Sequence, residues 1–257
     1  MRGLPPRSLS EQCSVLYPAL CYGRGMPPRR TARERVRAEI TREITDLARG
    51  HLAAGGAAGL SLRAVARDMG MVSSAIYRYF PSRDDLLTAL IIDGYNAIGE
   101  AVEAADAACR RDDYPGRWLA GARAAREWAL AHPHEYALIY GSPVPGYQAP
   151  VDTIGPASRA AVVFGRLVSD AHAAGAPGPA RPARPGPATL AGDAARLRET
   201  VMPGVPDGVA LGALTAWAGL FGIISFELFG QFTNVVTDRG AYFDHAVATL
   251  AALMGLY

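Results

Sequence analysis

SLRAVARDMGMVSSAIYRYFPSR, residues 61–83, is the stretch from which the rest of the chain is read. Two short helical patterns lie in it, a few residues apart. Leu62, Val65, Ala66 and Met69 form one apolar face, and Ile76 with Phe80 forms another. Gly70 stands between them as the residue suited to end the first helix in the left-handed region. Ser61 is placed to cap the first helix, and Ser73 or Ser74 to cap the second. Together these signals spell a helix-turn-helix.

At about 100° per residue, Ile76 and Phe80 share one side of the second helix while Ser73, Ser74, Tyr77 and Arg78 spread over the other. Hydroxyls, a phenol and a guanidinium suit a DNA major groove, where Arg forks onto guanine and hydroxyls reach bases or phosphates. The competing reading of the pattern alone is a pair of packed helices with a solvated face.

The 257 residues are half apolar, enough for one or two domains with a core. All 26 basic residues are Arg, which reads as GC-rich coding rather than function. Residues 1–90 hold 14 Arg against 8 acids, a balance of +6, whereas residues 91–257 hold 12 against 16, a balance of −4. The helix pair sits in the basic part, as expected where one domain meets polyphosphate. Cys13, Cys21 and Cys109 lack metal-ligand spacing, and their odd number argues against a disulfide framework, so a reducing cytoplasm fits. Pro5, Pro6, Glu11 and Pro18 interrupt any apolar run near the start, so no signal peptide is expected.

Residues 1–28 carry five prolines and no periodicity and read as a disordered tail, with Met26 an alternative start. From Arg29 a helix is expected, with Val36, Ile40, Ile44, Leu47 and His51 at spacings of three and four. Arg29, Arg30, Arg33, Arg35 and Arg37 crowd its beginning, where cations oppose the helix dipole. Nearby phosphates would account for them, and a solvated basic face is the plainer reading for any single one. GGAAG, residues 55–59, reads as a turn. Phe80-Pro81 ends the second helix of the pair, and Ser82 to Asp85 resembles a capping box with Asp where Glu is usual. The helix it opens carries Leu87, Ile91, Tyr95, Ile98 and Val102 on one stripe and leads out of the small domain.

A first helix, a Gly-containing turn, SLRAVARDMG and then SSAIYRYFPSRDDLL together resemble the DNA-binding domain of the tetracycline-repressor-like (TetR) family, over residues 33–90. The AIYRYFPSRDDLL string is the specific part. The resemblance implies that Ser73, Ser74, Tyr77 and Arg78 lie at the major groove, Tyr79 and Arg83 near phosphates, and Arg63 within reach of a base edge. Leu62, Val65, Ile76 and Phe80 stay in the core. Ala75 departs from the Thr or Gly common at its place, so one family contact is expected to be absent.

Beyond residue 111 the chain still reads as helical, so the fold class is all-α: a three-helix helix-turn-helix domain at 29–85, then a larger domain at 86–257, for which the resemblance implies ligand binding and dimerisation. Trp118, Ala122, Ala125 and Trp128 mark one helix, and residues 132–150 are similar to a segment in the C-terminal domains of a family subgroup. Residues 159–174 form a helix with Val162, Val163, Leu167 and Ala171 inward. Residues 175–188, GAPGPARPARPGPA, are a flexible loop, followed by a short helix at 190–201. Helices at about 207–232 and 239–256 end the chain. The first of them holds 22 residues, 209–230, with Glu227 as the single charge, and so competes as a membrane span. In the family the last two helices pair with their copies in a four-helix bundle, which implies a soluble homodimer and no membrane.

His132, His134 and Glu135 are close in sequence, but Pro133 reads as a turn and removes the i, i+4 geometry of a zinc helix. No nucleophile elbow, phosphate loop or dinucleotide fingerprint occurs in a strand-to-helix setting. No metal, cofactor or catalytic set is therefore expected. The family implies a small-molecule effector, and Tyr95, Trp118, Trp128, Tyr136, Tyr140, Phe164, Trp217 and Phe221 are its candidate lining, with plain core packing as the alternative. Their poverty in charge points to an apolar or aromatic ligand. The expected activity is ligand-responsive regulation, with repression at a palindromic double-stranded operator.

Overall fold

Helix signals dominate the chain, and helices are what it forms: the computed structural model describes residues 31–175 and 186–256 and has no strand among them. The tail at 1–28, Met26, and residues 176–185 of the Pro/Gly loop lie outside the described residues. The first helix, α1 (Ala32–Gly59), begins at a capping box that the sequence reading missed. Thr31 accepts from the Glu34 amide at 3.2 Å while Glu34 accepts from the Thr31 amide at 2.7 Å. Glu34 thereby places one negative charge against the helix dipole amid the arginines. Val36 does not join the core; it is 55% exposed, because the first two turns project beyond the packed face that starts near Ile40. The expected GGAAG turn is instead a kink. The helix leaves α geometry at Gly56 (φ 61, ψ −174) and resumes to Gly59.

The helix pair follows as α2 (Leu62–Asp68) and α3 (Ser73–Ile76). Gly70 adopts φ +66, and two bonds close the end of α2: the Met71 amide to the Ala66 carbonyl at 2.8 Å and the Gly70 amide to the Arg67 carbonyl at 3.0 Å. That pair of bonds is a Schellman motif. The serines do not cap as expected. Ser61 holds the cap position without a side-chain bond, and extended Val72, not Ser73 or Ser74, precedes α3. Freed from capping, both serine hydroxyls lie on the exposed side.

Ser82 starts α4 (Arg83–Ala108) with half of the expected box: it accepts from the Asp85 amide at 3.1 Å, and its hydroxyl donates to the Asp85 carboxylate at 2.7 Å. Asp is one carbon too short to reach back to the Ser82 amide. Next come α5 (Tyr114–Ala131) and α6 (Pro133–Tyr140). The turn expected at Pro133 is a helix start, since a proline at the first helical position lacks an amide that would be orphaned there anyway. Then follow α7 (Ile154–Ala173), α8 (Ala191–Thr200), α9 (Asp207–Leu228) and α10 (Arg239–Met254). On α7 the inward face is Ala160, Phe164, Leu167, Val168 and Ala171; Val162 is only half-buried.

Two apolar clusters organise these helices. The smaller joins Ile44, Ala48, Leu62, Val65, Ile76, Phe80 and Leu86 of α1 to α4, with Leu138, Val144 and Tyr147 of the following domain packed against it. The larger runs from Ile98 through Trp118, Phe164 and Leu220 to Val247. The Trp118 indole donates to the Val247 carbonyl at 2.8 Å, which ties α5 to α10. Glu227, the one charge inside the apolar stretch of α9, is buried and held by two bonds from Arg126 at 2.7 and 2.6 Å.

Candidate functional site

A four-residue helix has little stability of its own, so the geometry of α3 depends on its surroundings. Underneath, Ile76 and Phe80 are buried in the small core. After Ile76 the chain tightens, with the Arg78 amide bonded to the Ala75 carbonyl at 3.2 Å and the Tyr79 amide to the Ile76 carbonyl at 2.9 Å. Arg37 of α1 clasps this turn from the side. Its guanidinium donates to the Arg78 carbonyl at 2.8 Å and lies 5.3 Å from the centre of the Tyr79 ring.

Outward, Ser73, Ser74 and Arg78 are exposed, Tyr77 is 42% exposed, and Arg63 is exposed on α2. Tyr79 is half-buried beneath Arg37. Arg83 points elsewhere: it donates to the Leu60 carbonyl at 3.2 Å and to the Ala57 carbonyl at 2.6 Å, fastening the start of α4 to the end of α1. His51 and Asp68, 2.5 Å apart, bridge α1 to the end of α2. The outward face thus carries two arginines, two serines and a tyrosine on a turn held by packing and by Arg37. Sequence reasoning counted Arg37 among five cations at a helix start and did not find its part in the turn. A backbone acceptor 41 residues away leaves no mark on residue type.

In the larger domain the eight aromatic candidates do not line one cavity. Trp118, Phe164 and Trp217 border an apolar cavity of about 110 Å³ with Val168, Met202 and Met254. Tyr140 borders a cleft of about 700 Å³ between α1, α6 and α9, and Tyr95 a groove of about 510 Å³ beside Ile139 and Tyr147. Trp128, Tyr136 and Phe221 are buried in the core. Ring contacts connect most of the set: Trp118 to Phe164 at 4.9 Å, Phe164 to Trp217 at 6.0 Å, Trp217 to Phe221 at 4.5 Å, and Phe221 to Tyr140 at 4.3 Å. Tyr136 donates to the Phe221 carbonyl at 3.1 Å, and burial, partly offset by Ser225, pushes its phenol up to about 12.

His132, His134 and Glu135 do not converge on a metal position, and no group of three potential ligands does so among the described residues. Glu135 instead meets Arg49 at 3.0 Å, and His132 stacks on Trp128 with centroids 5.3 Å apart.

Comparison with known proteins agrees with this architecture. Residues 44–90 match the family "Bacterial regulatory proteins, tetR family", and residues 118–250 match "Tetracyclin repressor-like, C-terminal domain". The HTH-type transcriptional regulator Rv1816 of Mycobacterium tuberculosis (strain ATCC 25618 / H37Rv) is 42% identical over 240 residues, covering 91% of this chain and 99% of that protein. The regulator Mb1846 of Mycobacterium bovis matches to the same extent. Among solved structures, the protein SCO4313 is 37% identical with a TM-score of 0.68, covering 86% of this chain and 98% of its own. A protein from Rhodococcus sp. RHA1 is 26% identical with a TM-score of 0.61, covering 90% and 97%. A helix-turn-helix presented on a three-helix domain, a larger all-helical domain behind it, and relatives named as regulators rather than enzymes have one reading: the chain belongs to the TetR family of DNA-binding transcriptional regulators.

Proposed function

We propose that this protein binds a palindromic double-stranded DNA operator as a homodimer, represses transcription there, and is released by a small apolar or aromatic effector. The observation that carries the DNA reading is the clasped turn. Arg63, Ser73, Ser74, Tyr77 and Arg78 face outward together on a segment whose inner side is locked by Ile76, Phe80 and Arg37. Tyr79, beneath Arg37, borders the phosphate side of that face. Arg83 acts as a positioning residue, with its carbonyl bonds fixing how α4 leaves the reading head.

The dimer reading rests on α9 and α10. Leu214, Phe226, Phe229, Tyr242 and Leu253, all on or beside these two helices, are 45%, 54%, 48%, 38% and 40% exposed. Residues 214, 218, 222 and 226 recur every four residues on α9 and are exposed or half-buried, so one face of its second half is open. A second copy covers that face and sets two α3 segments roughly 34 Å apart, one turn of duplex. The competing occupant, a bilayer, suits α9 by length and composition. Glu227, paired with Arg126 inside the chain's own core, ties the helix to a soluble bundle, and the cytoplasm is the expected compartment.

Trp118, Phe164 and Trp217 are the apolar wall against which an effector would lie, provided their cavity, about 110 Å³ here, widens as it binds. Release requires that the effector bind the DNA-incompetent arrangement more tightly than the competent one. DNA recovered from a random pool by the wild-type protein gives the test duplex. Tyr77→Ala and Arg78→Ala are expected to lose gel-shift binding to it while keeping the dimer mass in light scattering. Unchanged affinity in both variants would refute the placement of the reading head.

A further inference from the structure

The cavity among Trp118, Phe164 and Trp217 measures about 110 Å³, less than the roughly 150 Å³ that admits benzene in a protein core. Pockets for drug-sized molecules run from about 300 to 1,000 Å³. At about 700 Å³, the cleft between the two domains falls in that range. Its walls come from both sides: Leu52 and Ala57 of α1, Ala137 and Tyr140 of α6, and Ser225 and Phe229 at the end of α9. No Asp, Glu or Arg lines it; besides Tyr140 its polar side chains are His134, Ser142 and Ser225.

Its polar handle is Tyr140. The ring is wedged against Phe221, Tyr136 and Tyr95 at 4.3, 5.1 and 5.9 Å, yet its hydroxyl makes no hydrogen bond among the described residues and is not sealed from solvent. Burial, and then the neighbouring Tyr95 and Tyr136 hydroxyls, hold the phenol far above its usual range, so it stays a neutral donor. The neighbouring hydroxyls are engaged: Tyr136 with the Phe221 carbonyl and Ser225, and Tyr95 with the Ile139 carbonyl at 3.2 Å. Tyr95's own groove therefore lacks a free phenol. In the groove around Arg49, that guanidinium is already paired with Asp46 and Asp93.

We propose that the interdomain cleft is a second small-molecule site, which takes a neutral aromatic compound bearing a hydrogen-bond acceptor such as a ketone, with the Tyr140 hydroxyl as donor. The ring of the ligand lies against Phe229 and Leu52, and its acceptor meets Tyr140. The α1 wall of the site, Gly56 and Ala57, is the segment whose Ala57 carbonyl is held by Arg83, at the start of α4. The site stands whether or not the DNA reading does.

Prodan, a neutral dimethylamino-naphthyl ketone whose emission moves to the blue on leaving water, is the probe. Titrated into the full chain, it is expected to bind saturably with one site per protomer. Tyr140→Phe keeps every ring contact and loses only the donor, so affinity should fall about tenfold, the worth of one good hydrogen bond. Ala137→Phe fills the cleft and should abolish binding, whereas Ala213→Leu fills the 110 Å³ cavity and should leave it unchanged. Absence of saturable binding, wild-type affinity in Tyr140→Phe, or loss of binding in Ala213→Leu overturns the proposal. Circular dichroism checks each fold, and Tyr140→Phe decides the matter if a filling variant does not fold. Operator binding, measured on the same samples without probe, tests the DNA reading separately.

Discussion

Replacing Arg37 by alanine separates holding a reading head from touching DNA. Two interactions go: the bond to the Arg78 carbonyl at 2.8 Å and the stacking over Tyr79 at 5.3 Å. A net hydrogen bond contributes about 0.5–1.5 kcal/mol and an exposed cation–π contact about 0.5–1 kcal/mol. Both act on the turn that closes a four-residue helix unable to hold its own geometry, so part of their loss must be made good on the DNA. The loss of roughly 1–2.5 kcal/mol corresponds to a fall in operator affinity of about five- to seventyfold. Global stability should fall by no more than the same roughly 1–2.5 kcal/mol, because Arg37 is exposed and the small core is untouched. The assay is fluorescence anisotropy with operator DNA over a series of salt concentrations. A cation that neutralises one phosphate contributes about 0.9 to the slope of log affinity against log salt; one that holds the turn contributes none. The expected result is a parallel line displaced to weaker binding. A line that is shallower by about 0.9 and meets the wild type at high salt would refute the clasp and return Arg37 to the phosphates.

Three further outcomes test the larger domain. Arg126→Ala strands the buried Glu227 carboxylate and should cost roughly 3–5 kcal/mol in calorimetry, while Met at both positions should recover most of it; equal losses in the two variants would contradict this. Burial raises the Asp106 carboxyl, but hydrogen bonds from Arg117 and Arg111, with their charges, outweigh it and hold it below its usual 3.8. A carboxyl lowered on folding stabilises at neutral pH and loses that contribution as pH falls through its folded value. Asp106→Asn should therefore be less stable than wild type at pH 7, with the gap narrowing below 3.8 in denaturant titrations; a constant gap counts against the cause assigned. Leu214→Glu combined with Phe226→Glu should give a folded monomer by light scattering, and a persistent dimer would place the interface elsewhere.

What the sequence disclosed follows from which interactions are local. Gly70 was readable because a left-handed residue after an apolar turn is almost a glycine's alone, and the Schellman bonds then follow from the backbone. Ile76 and Phe80 were readable from helical spacing. Ser73 and Ser74 misled because the same hydroxyl serves a cap or an exposed face equally well in sequence, and only the extended backbone at Val72 separates the two. Pro133 misled for a like reason: proline marks both a turn and a first helical position. The aromatic residues were the hardest. Trp128, Tyr136 and Phe221 share their helical spacing with Trp118, Phe164 and Trp217, and only packing decides which rings face a cavity.

The two domains meet through shared apolar packing and partly exposed ion pairs. Leu138, Val144 and Tyr147 belong to the larger domain by sequence but lie against the core of the smaller, so the domains share a wall. Beside it, Arg49 of α1 reaches Asp93 of α4 at 2.8 Å and Glu135 of α6 at 3.0 Å. These pairs are partly exposed, and such pairs contribute about 0–1 kcal/mol each. Asp93 shows the weakness directly: burial raises its carboxyl, with Glu135 and Asp46 adding to the rise, and Arg49 does not fully compensate. Allosteric coupling typically needs about 1–3 kcal/mol of differential binding. A ligand that distinguishes two positions of α6 against α1 by that amount can therefore outweigh this latch. Under the proposed release by an effector, Arg83, bonded to carbonyls of the same α1 segment, would carry the displacement to the start of α4, three residues beyond Phe80.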